Sequence, residues 1–478
     1  MYIILVMGGG FIQLAAYGAQ DLYLTGNPQI SYFIMVYKRY TNFAIENCRQ
    51  FFTGHVDFGK KVYCQIERIG DLMSETFLVV TLPSLKPYFN NGTKYYWRNS
   101  VGHTLIESID IEIGGKVVDR HYGVWLQVWI ELTLSAGKYN AYKRMIGYSD
   151  DKCYFDYEGI LKVYVPLQFW FCRNIGLSLP LIALQNHEVR INCKFRNINH
   201  MIIKVKDDYY CGKVDINTNQ IHMMSAYLYV DYIFLEDAER KKFAKRDHEY
   251  LIEQLQLDTV DLYSGGKKGN PLYNYGIDGV DKYGDVIIDS TQEACSNTNN
   301  TSPNCTPFIT DHKVNINFNH PILEFIWVFQ NTDVLAENED GKYNGGEIFN
   351  FSTKNCCEDD TKTFAERVYD LQNHPMFEAT LYIEGKERME KRDAKYYNII
   401  QPYQRHKNVP SDFIYNYSFS LEPENTRPSG ACNYSRIDNS HFLFKLNKLM
   451  VNPRLMLFAR NYNILRIKAG MAGIAYSN

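Results

Sequence analysis

Apolar and polar positions along this chain alternate in short runs, mostly without helical spacing. Residues 74–82 (SETFLVVTL) are apolar and β-branched, and residues 105–113 (LIESIDIEI) alternate before a turn at Gly114-Gly115. Runs at 161–171, 226–235, 325–329, 377–383, 413–421, 442–446 and 455–467 continue the series. Alternation puts every second side chain on one face of a strand. Gly, Pro, Asn and Asp between the runs supply turns, so the pattern predicts β-sandwiches or barrels. Helices are predicted mainly at 122–134 (YGVWLQVWIELTL) and 236–246 (EDAERKKFAKR).

Two polar stretches, 258–312 and 331–362, read as long surface loops that interrupt strands. Loops of that length in a compact domain usually carry function. The two halves of the chain also echo each other in order. FAIE at 43–46 resembles YLIE at 250–253, and IEIGGK at 111–116 resembles LYIEGK at 381–386. NHEVRI at 186–191 resembles SHFLFK at 440–445, and VDYI at 230–233 resembles RNYN at 460–463. Four matches in one order predict a duplicated domain with loop insertions. The basic connector at 240–246 marks the boundary. It reads first as a solvated helix balanced by Glu236, Asp237 and Glu239, and second as a patch for nucleic acid or anionic lipid.

Length agrees with duplication: 478 residues are too many for one ordinary core. Hydrophobic residues at 45% and charged residues at 22% are globular values. The 38 tyrosines and 27 phenylalanines suit half-buried pleated surfaces, or else a Tyr-rich binding surface. A net charge of −3 lacks the basic excess of a genome-wrapping protein, so direct sequence-specific contact with nucleic acid is not expected. No apolar run is long enough to cross a membrane as a helix, and MYIILVM at the start makes a poor signal peptide. Eleven cysteines without a CxxC pair read as thiols reduced in a cytosol, although Cys295 with Cys305, or Cys356 with Cys357, sit in polar loops where oxidation is open.

Catalytic chemistry is not signalled. Gly265-Gly266-Lys267-Lys268 lacks the upstream glycine and the following Ser/Thr of a phosphate-binding loop. His187-Glu188 and His248-Glu249 have no second histidine four residues after the first, and the 12 histidines include no HxH pair. No enzyme activity, cofactor or metal is expected. Loop sequons make Asn91, Asn299, Asn300, Asn304 and Asn350 candidate glycosylation sites; those at Asn416 and Asn433 fall in strand-like or motif segments. In a protein made in the cytosol this motif is weak evidence.

Longer motifs then give a family. AYGAQD, TGNPQI and YKRYTNF within 14–43 resemble the opening of major capsid proteins of nucleocytoplasmic large DNA viruses, closest to those of algal phycodnaviruses. IGDL at 69–72, IEIGGKVVDRH at 111–121, LPLIALQNHEV at 179–189, VDYIFL at 230–235 and HEYLIEQLQ at 248–256 extend the match. NFNHP at 317–321, QPY at 401–403, RPSGACNYSRIDN at 427–439 and the terminal NYNILRI and GMAGIAYSN complete it. The family usually begins near MxGG, matched by Met7-Gly8-Gly9-Gly10, so residues 1–6 are additional, and the second-half loops are longer than common.

The resemblance implies an all-β chain of two tandem eight-stranded antiparallel jelly rolls with a few short helices and long loops. It places an N-terminal arm at 1–27, one roll at 28–240 and a second at 241–478. It implies a homotrimer of pseudo-hexagonal outline that tiles an icosahedral shell, made and assembled in host cytoplasm. Its partners would be neighbouring capsomers, minor capsid and penton proteins, and internal membrane-associated proteins through the arm. Relatives carry glycans, often outside the sequon. The alternative is a carbohydrate- or receptor-binding jelly-roll protein of the virion surface, which the long loops and surface aromatics would suit.

Overall fold

The computed structural model describes residues 25, 27–28, 33, 39–90, 92–149, 154–206, 209–210, 216–262, 309–331, 348–352, 374–447, 450 and 453–476. Nearly all of the arm and the middles of both polar stretches lie outside these residues. The chain divides into two units, Met1–Asn42 and Phe43–Asn478. All of the strands named here belong to the second unit.

In chain order its sheet-building strands are β1 (Phe43–Phe51), β2 (Lys61–Gln65), β3 (Leu72–Leu82), β4 (Ile106–Ile113), β5 (Lys116–Tyr122), β6 (Leu161–Pro166), β7 (Val189–Phe195) and β8 (Ser225–Leu235). The second series is β9 (His248–Asp261), β10 (Ile309–Asn315), β11 (Pro321–Asn331), β12 (Met376–Ile383), β13 (Lys386–Glu387), β14 (Tyr415–Ser418), β15 (Ser440–Asn447) and β16 (Pro453–Lys468). Sheet I runs β1-β8-β3-β6 and sheet II runs β2-β7-β4-β5, all antiparallel. Sheet III runs β9-β16-β11-β14 and sheet IV runs β10-β15-β12-β13, again antiparallel. Each strand of the second half takes the place of the strand eight earlier. Two rolls of one topology are thus built in one chain. Thr93–Arg98, Tyr154–Phe155, Ile202–Lys206 and Tyr209–Tyr210 add a small further sheet.

Alternation decides what fills each roll. In the first, Leu78, Val80, Leu228, Val230, Val163 and Val165 of sheet I meet Val62, Cys64, Ile109, Ile111, Ile191 and Cys193 of sheet II in one core. Burial raises the Cys64 thiol to about 12 and raises Cys193 as well, so both pack as small apolar groups. In the second, Trp327 is fully buried with Tyr397 and Phe442 at 5.2 Å and Tyr415 at 5.9 Å between ring centroids.

The two turns flagged by sequence are equivalent hairpins. Ile113 pairs with Lys116 across Gly114 (φ +60°) and Gly115 (φ +81°). Ile383 pairs with Lys386 across Glu384 (φ +48°) and Gly385 (φ +73°). Positive φ at both central residues makes a two-residue turn whose twist matches its strands. At Gly114 a Cβ would also strike the His187 ring at 2.4 Å.

The matched tetrapeptides fall on equivalent strands but one residue out of register. Ile252 is fully buried, whereas Ile45 is 48% exposed. β3 and β11 each carry an extra residue at the same point: Val230 and Tyr232 face Thr76 and Met73, while Arg460 and Asn461 face Glu324 and Ile322. Aligning these bulges pairs Asp231 with Arg460 and Tyr229 with Phe458. Tetrapeptide similarity cannot detect a one-residue slip that exchanges the two faces of a strand.

Other departures have local causes. The run at 161–171 stops as a strand at Pro166, and Trp170–Arg173 turns helical. The run at 413–421 forms a strand only over Tyr415–Ser418, the first polar stretch begins and ends inside strands, and the second begins inside one. Within the second stretch, Ile348, Phe349 and Phe351 are buried. Helix α1 (Gly123–Thr133) is apolar almost throughout and buried from Gly123 to Leu132. No residue larger than glycine fits at its first position, where a Cβ would lie 2.1 Å from the His103 carbonyl oxygen. Helix α2 (Ala136–Ile146) escapes sequence patterning because it buries only Tyr142 and Ile146. Helix α3 (Asp237–Lys245) is the exposed connector, acidic in its first turn and basic in its last, as the helix dipole favours. Its Arg240 reaches the buried Asp71 carboxylate at 2.9 Å.

Candidate assembly site at the seam between the two halves

Where the halves meet, α1 lies on sheet III. Trp125 stands 5.2 Å from Phe458 and stacks on Trp129 at 5.3 Å. Trp129 faces the Arg460 guanidinium at 4.1 Å and that of Arg173 at 5.3 Å. Arg460, 2% exposed, donates from Nη1 to Glu324 and from Nη2 to Glu253, and Nη2 also meets the Pro423 carbonyl at 3.0 Å. Arg173 of the first half reaches the same Glu253 carboxylate at 2.9 Å. The His406 side chain, fully buried, lies 2.9 Å from Glu324 through Nε2 and 3.2 Å from Glu424 through Nδ1.

Three cationic groups (Arg173, Arg460, His406) therefore face three carboxylates (Glu253, Glu324, Glu424), which is how buried charge becomes tolerable. Burial alone would raise the Glu324 carboxyl, but His406 and Arg460 overcome it and hold the group down at about 2. Burial would likewise lower His406, and Glu324 and Glu424 reverse this to about 9. Glu253 is held low against its own burial by Arg173 and Arg460. The histidine is thus a cation at neutral pH, and the arrangement works as a clamp. Beside it opens a groove of about 720 Å³ with Trp170, Arg173, Lys407 and Glu424 in its walls.

A second network ties the far end of α1 to the second half. Gln127 Nε2 donates to Glu131, so its Oε1 faces His103 Nδ1 at 2.8 Å. That nitrogen then carries the proton, and Nε2 accepts from the Tyr142 hydroxyl at 2.8 Å. Burial lowers His103 to about 4, consistent with this neutral form. Asn408 of the second half donates its side chain to the Glu131 carbonyl at 2.9 Å and its backbone N–H to the Leu132 carbonyl at 3.0 Å. Along the edge strand β9, the Leu255 N–H donates to Asp119 at 3.0 Å, and Ala472 donates to His187 Nδ1 at 3.1 Å near the β16 turn.

Sequence reasoning named none of these clamp residues. Trp125 and Trp129, four apart on a predicted helix, were the visible signal; nothing local joins Glu253 to Arg460, 207 positions away. Among the five candidate glycan acceptors, Asn91, Asn299, Asn300 and Asn304 lie outside the described residues. Asn350 is half-buried between Phe349 and Phe351, and its Oδ1 accepts from the Ser352 N–H at 3.0 Å and hydroxyl at 2.7 Å. Among the described residues no cluster of His, Cys, Asp or Glu has metal-ligand geometry.

Residues 31–236 match the family model of the major capsid protein N-terminus, and residues 239–473 match that of the large eukaryotic DNA virus major capsid protein. The chain is 36% identical to the major capsid protein of Pyramimonas orientalis virus and 34% identical to that of Phaeocystis pouchetii virus, in each case over 99% of this chain and 100% of the relative. Among solved structures it resembles PBCV-1 VP54 with a TM-score of 0.68 and 29% identity, covering 94% of this chain and 100% of that one. Two rolls of like topology joined at this seam, with matches to these relatives over nearly the whole chain, place it in the major capsid protein family of large eukaryotic DNA viruses.

Proposed function

We propose that this capsid component acts as a homotrimer of pseudo-hexagonal outline, tiling the shell beside neighbouring capsomers and meeting minor capsid and penton proteins at its margins. One observation carries the reading: the same order of four strands recurs in sheets I and III, and again in sheets II and IV. Three chains with two like halves each present six similar units, and six-sided blocks tile a flat facet. A threefold ring closes through head-to-tail contacts. We assign the arm to 1–27 and the rolls to 28–240 and 241–478, with assembly in host cytoplasm. The polar stretches would face outward, and Asn91, Asn299, Asn300, Asn304 and Asn350 would be the sequon sites to examine for sugar.

Sedimentation of the purified protein tests the trimer. The expected species has three times the 55.8 kDa chain mass. A single chain that persists at high concentration would overturn the reading.

A further inference from the structure

The seam within one chain has a counterpart on the outer face of sheet I, where Arg49, Phe51 and Lys162 are exposed. In the second half, the outer face of sheet III carries Phe458 and Arg460, and α1 of the first half covers both. The bulge alignment puts Tyr229 and Asp231 at the equivalent positions on sheet I. Around them the outer face carries Tyr227, Arg49, Phe51 and Lys162.

This face has interface chemistry. Val79, Tyr227 and Ile233 are buried among their own neighbours on this face yet take no part in the core of the roll. Arg49 lies over the Tyr227 ring at 4.5 Å and the Tyr229 ring at 5.8 Å, and Lys162 over Tyr164 at 5.3 Å. Phe51 is 66% exposed. A sheet face turned permanently to water would be expected to be polar, whereas Tyr, Phe and Arg are the residues enriched where proteins meet.

The structure also offers the complementary element. α1 comes after the β4–β5 hairpin. Its counterpart after the β12–β13 hairpin is the helical segment formed by the turn Tyr396–Ile400 and α4 (Gln401–Arg405). That segment turns Tyr397 inward against Trp327, but Ile400 is 44% and Tyr403 79% exposed. The aromatic side chain on the helix repeats, whereas Asp231 stands where Arg460 does and the arginine of this face, Arg49, comes from the neighbouring strand opposite Tyr229.

We propose that the outer face of sheet I, centred on Arg49, Tyr227 and Tyr229, receives the segment bearing Ile400 and Tyr403 from a second copy of this chain, as sheet III receives α1 within one chain. The inference rests on the trimer reading above and specifies its contact. Three seams within chains then alternate with three between chains around a closed ring.

Two differently tagged chains, one Phe51→Cys and one Ile400→Cys, are co-expressed, and the trimer is isolated by sedimentation and treated with a short bismaleimide. A covalent product joining the two tags is expected, about tenfold above that from two Phe51→Cys chains or from unsubstituted chains. In parallel, Tyr403→Asp should weaken trimer association at least about tenfold while leaving the thermal unfolding of the single chain unchanged, since the side chain is exposed there. Intact trimers that give no 51–400 product, that link 51 to 51 equally well, or that tolerate Tyr403→Asp would overturn the assignment and leave the trimer standing. A chain that stays single in the sedimentation step would remove both.

Discussion

Glu324 shows how a single residue holds the second half's side of the seam in place. Its side chain is fully buried, one oxygen accepting from Arg460 and the other facing His406 and Asn416, each at 2.9 Å. Replacing it by glutamine keeps the shape but removes the charge that two buried cations share. The penalty falls on the partners: breaking a buried ion pair from one side costs about 3–5 kcal/mol because the other charge stays buried and uncompensated. Glu324→Gln should therefore lower stability by about that amount in denaturant titrations, and His406 should lose much of its raised pKa, read by its ring proton shifts. Glu249→Gln makes the control. Its 2.8 Å pair with Arg466 has side chains 62% and 56% exposed, and such pairs contribute about 0–1 kcal/mol. Equal effects of the two substitutions would mean that the seam does not depend on its buried charges.

At the level of elements, the clamp gives the seam a pH window. His406 has its pKa raised to about 9, so its contribution is complete below the ordinary histidine value of about 6.5 and is lost as pH rises through 9. Glu324 is depressed to about 2, so its contribution is complete above about 4.5 and is lost as pH falls from there. Both are fully present only between about 4.5 and 6.5. The thermal midpoint should fall between neutral pH and pH of about 10, and His406→Gln should flatten that fall while lowering the plateau. An unchanged alkaline slope in the variant would assign it to other groups. None of this was legible in the sequence, because Glu253, Glu324, His406 and Arg460 come from β9, β11, the segment after α4 and β16. The strands themselves were legible: fully buried runs such as LVV at 78–80 and FIWVF at 325–329 have few alternative folds. Their register was not, since the bulges opposite Asp231 and Arg460 leave no mark in composition. α2 stayed hidden because a helix that buries two side chains needs no apolar stripe.

At the level of the whole molecule, two rolls of one topology suit the proposed ring of six units from three chains, and a net charge of −3 per chain would give such a ring little attraction for a genome. Any attachment to the particle interior is then assigned, as a proposal, to the arm. Residues 1–27 hold five glycines and a single charged residue, Asp21, in an otherwise largely apolar sequence with no echo in the second half. Glycine-rich chain costs much entropy to order alone, and an apolar segment left in water invites aggregation. Both costs fall if partners beneath the capsomer cover it during assembly, and the unrepeated character fits a part that serves the shell rather than the roll. Deleting residues 1–16 should accordingly leave a trimer with unchanged sedimentation and thermal midpoint, because every buried core residue described in the two rolls lies at Phe58 or beyond. Incorporation into particles, measured by competition with the full-length chain in infected cells, should drop several-fold. An antibody to the segment should label disrupted particles and leave intact ones unlabelled. Normal incorporation of the truncated chain, or labelling of intact particles, would put the arm outside the shell or show that assembly does not use it.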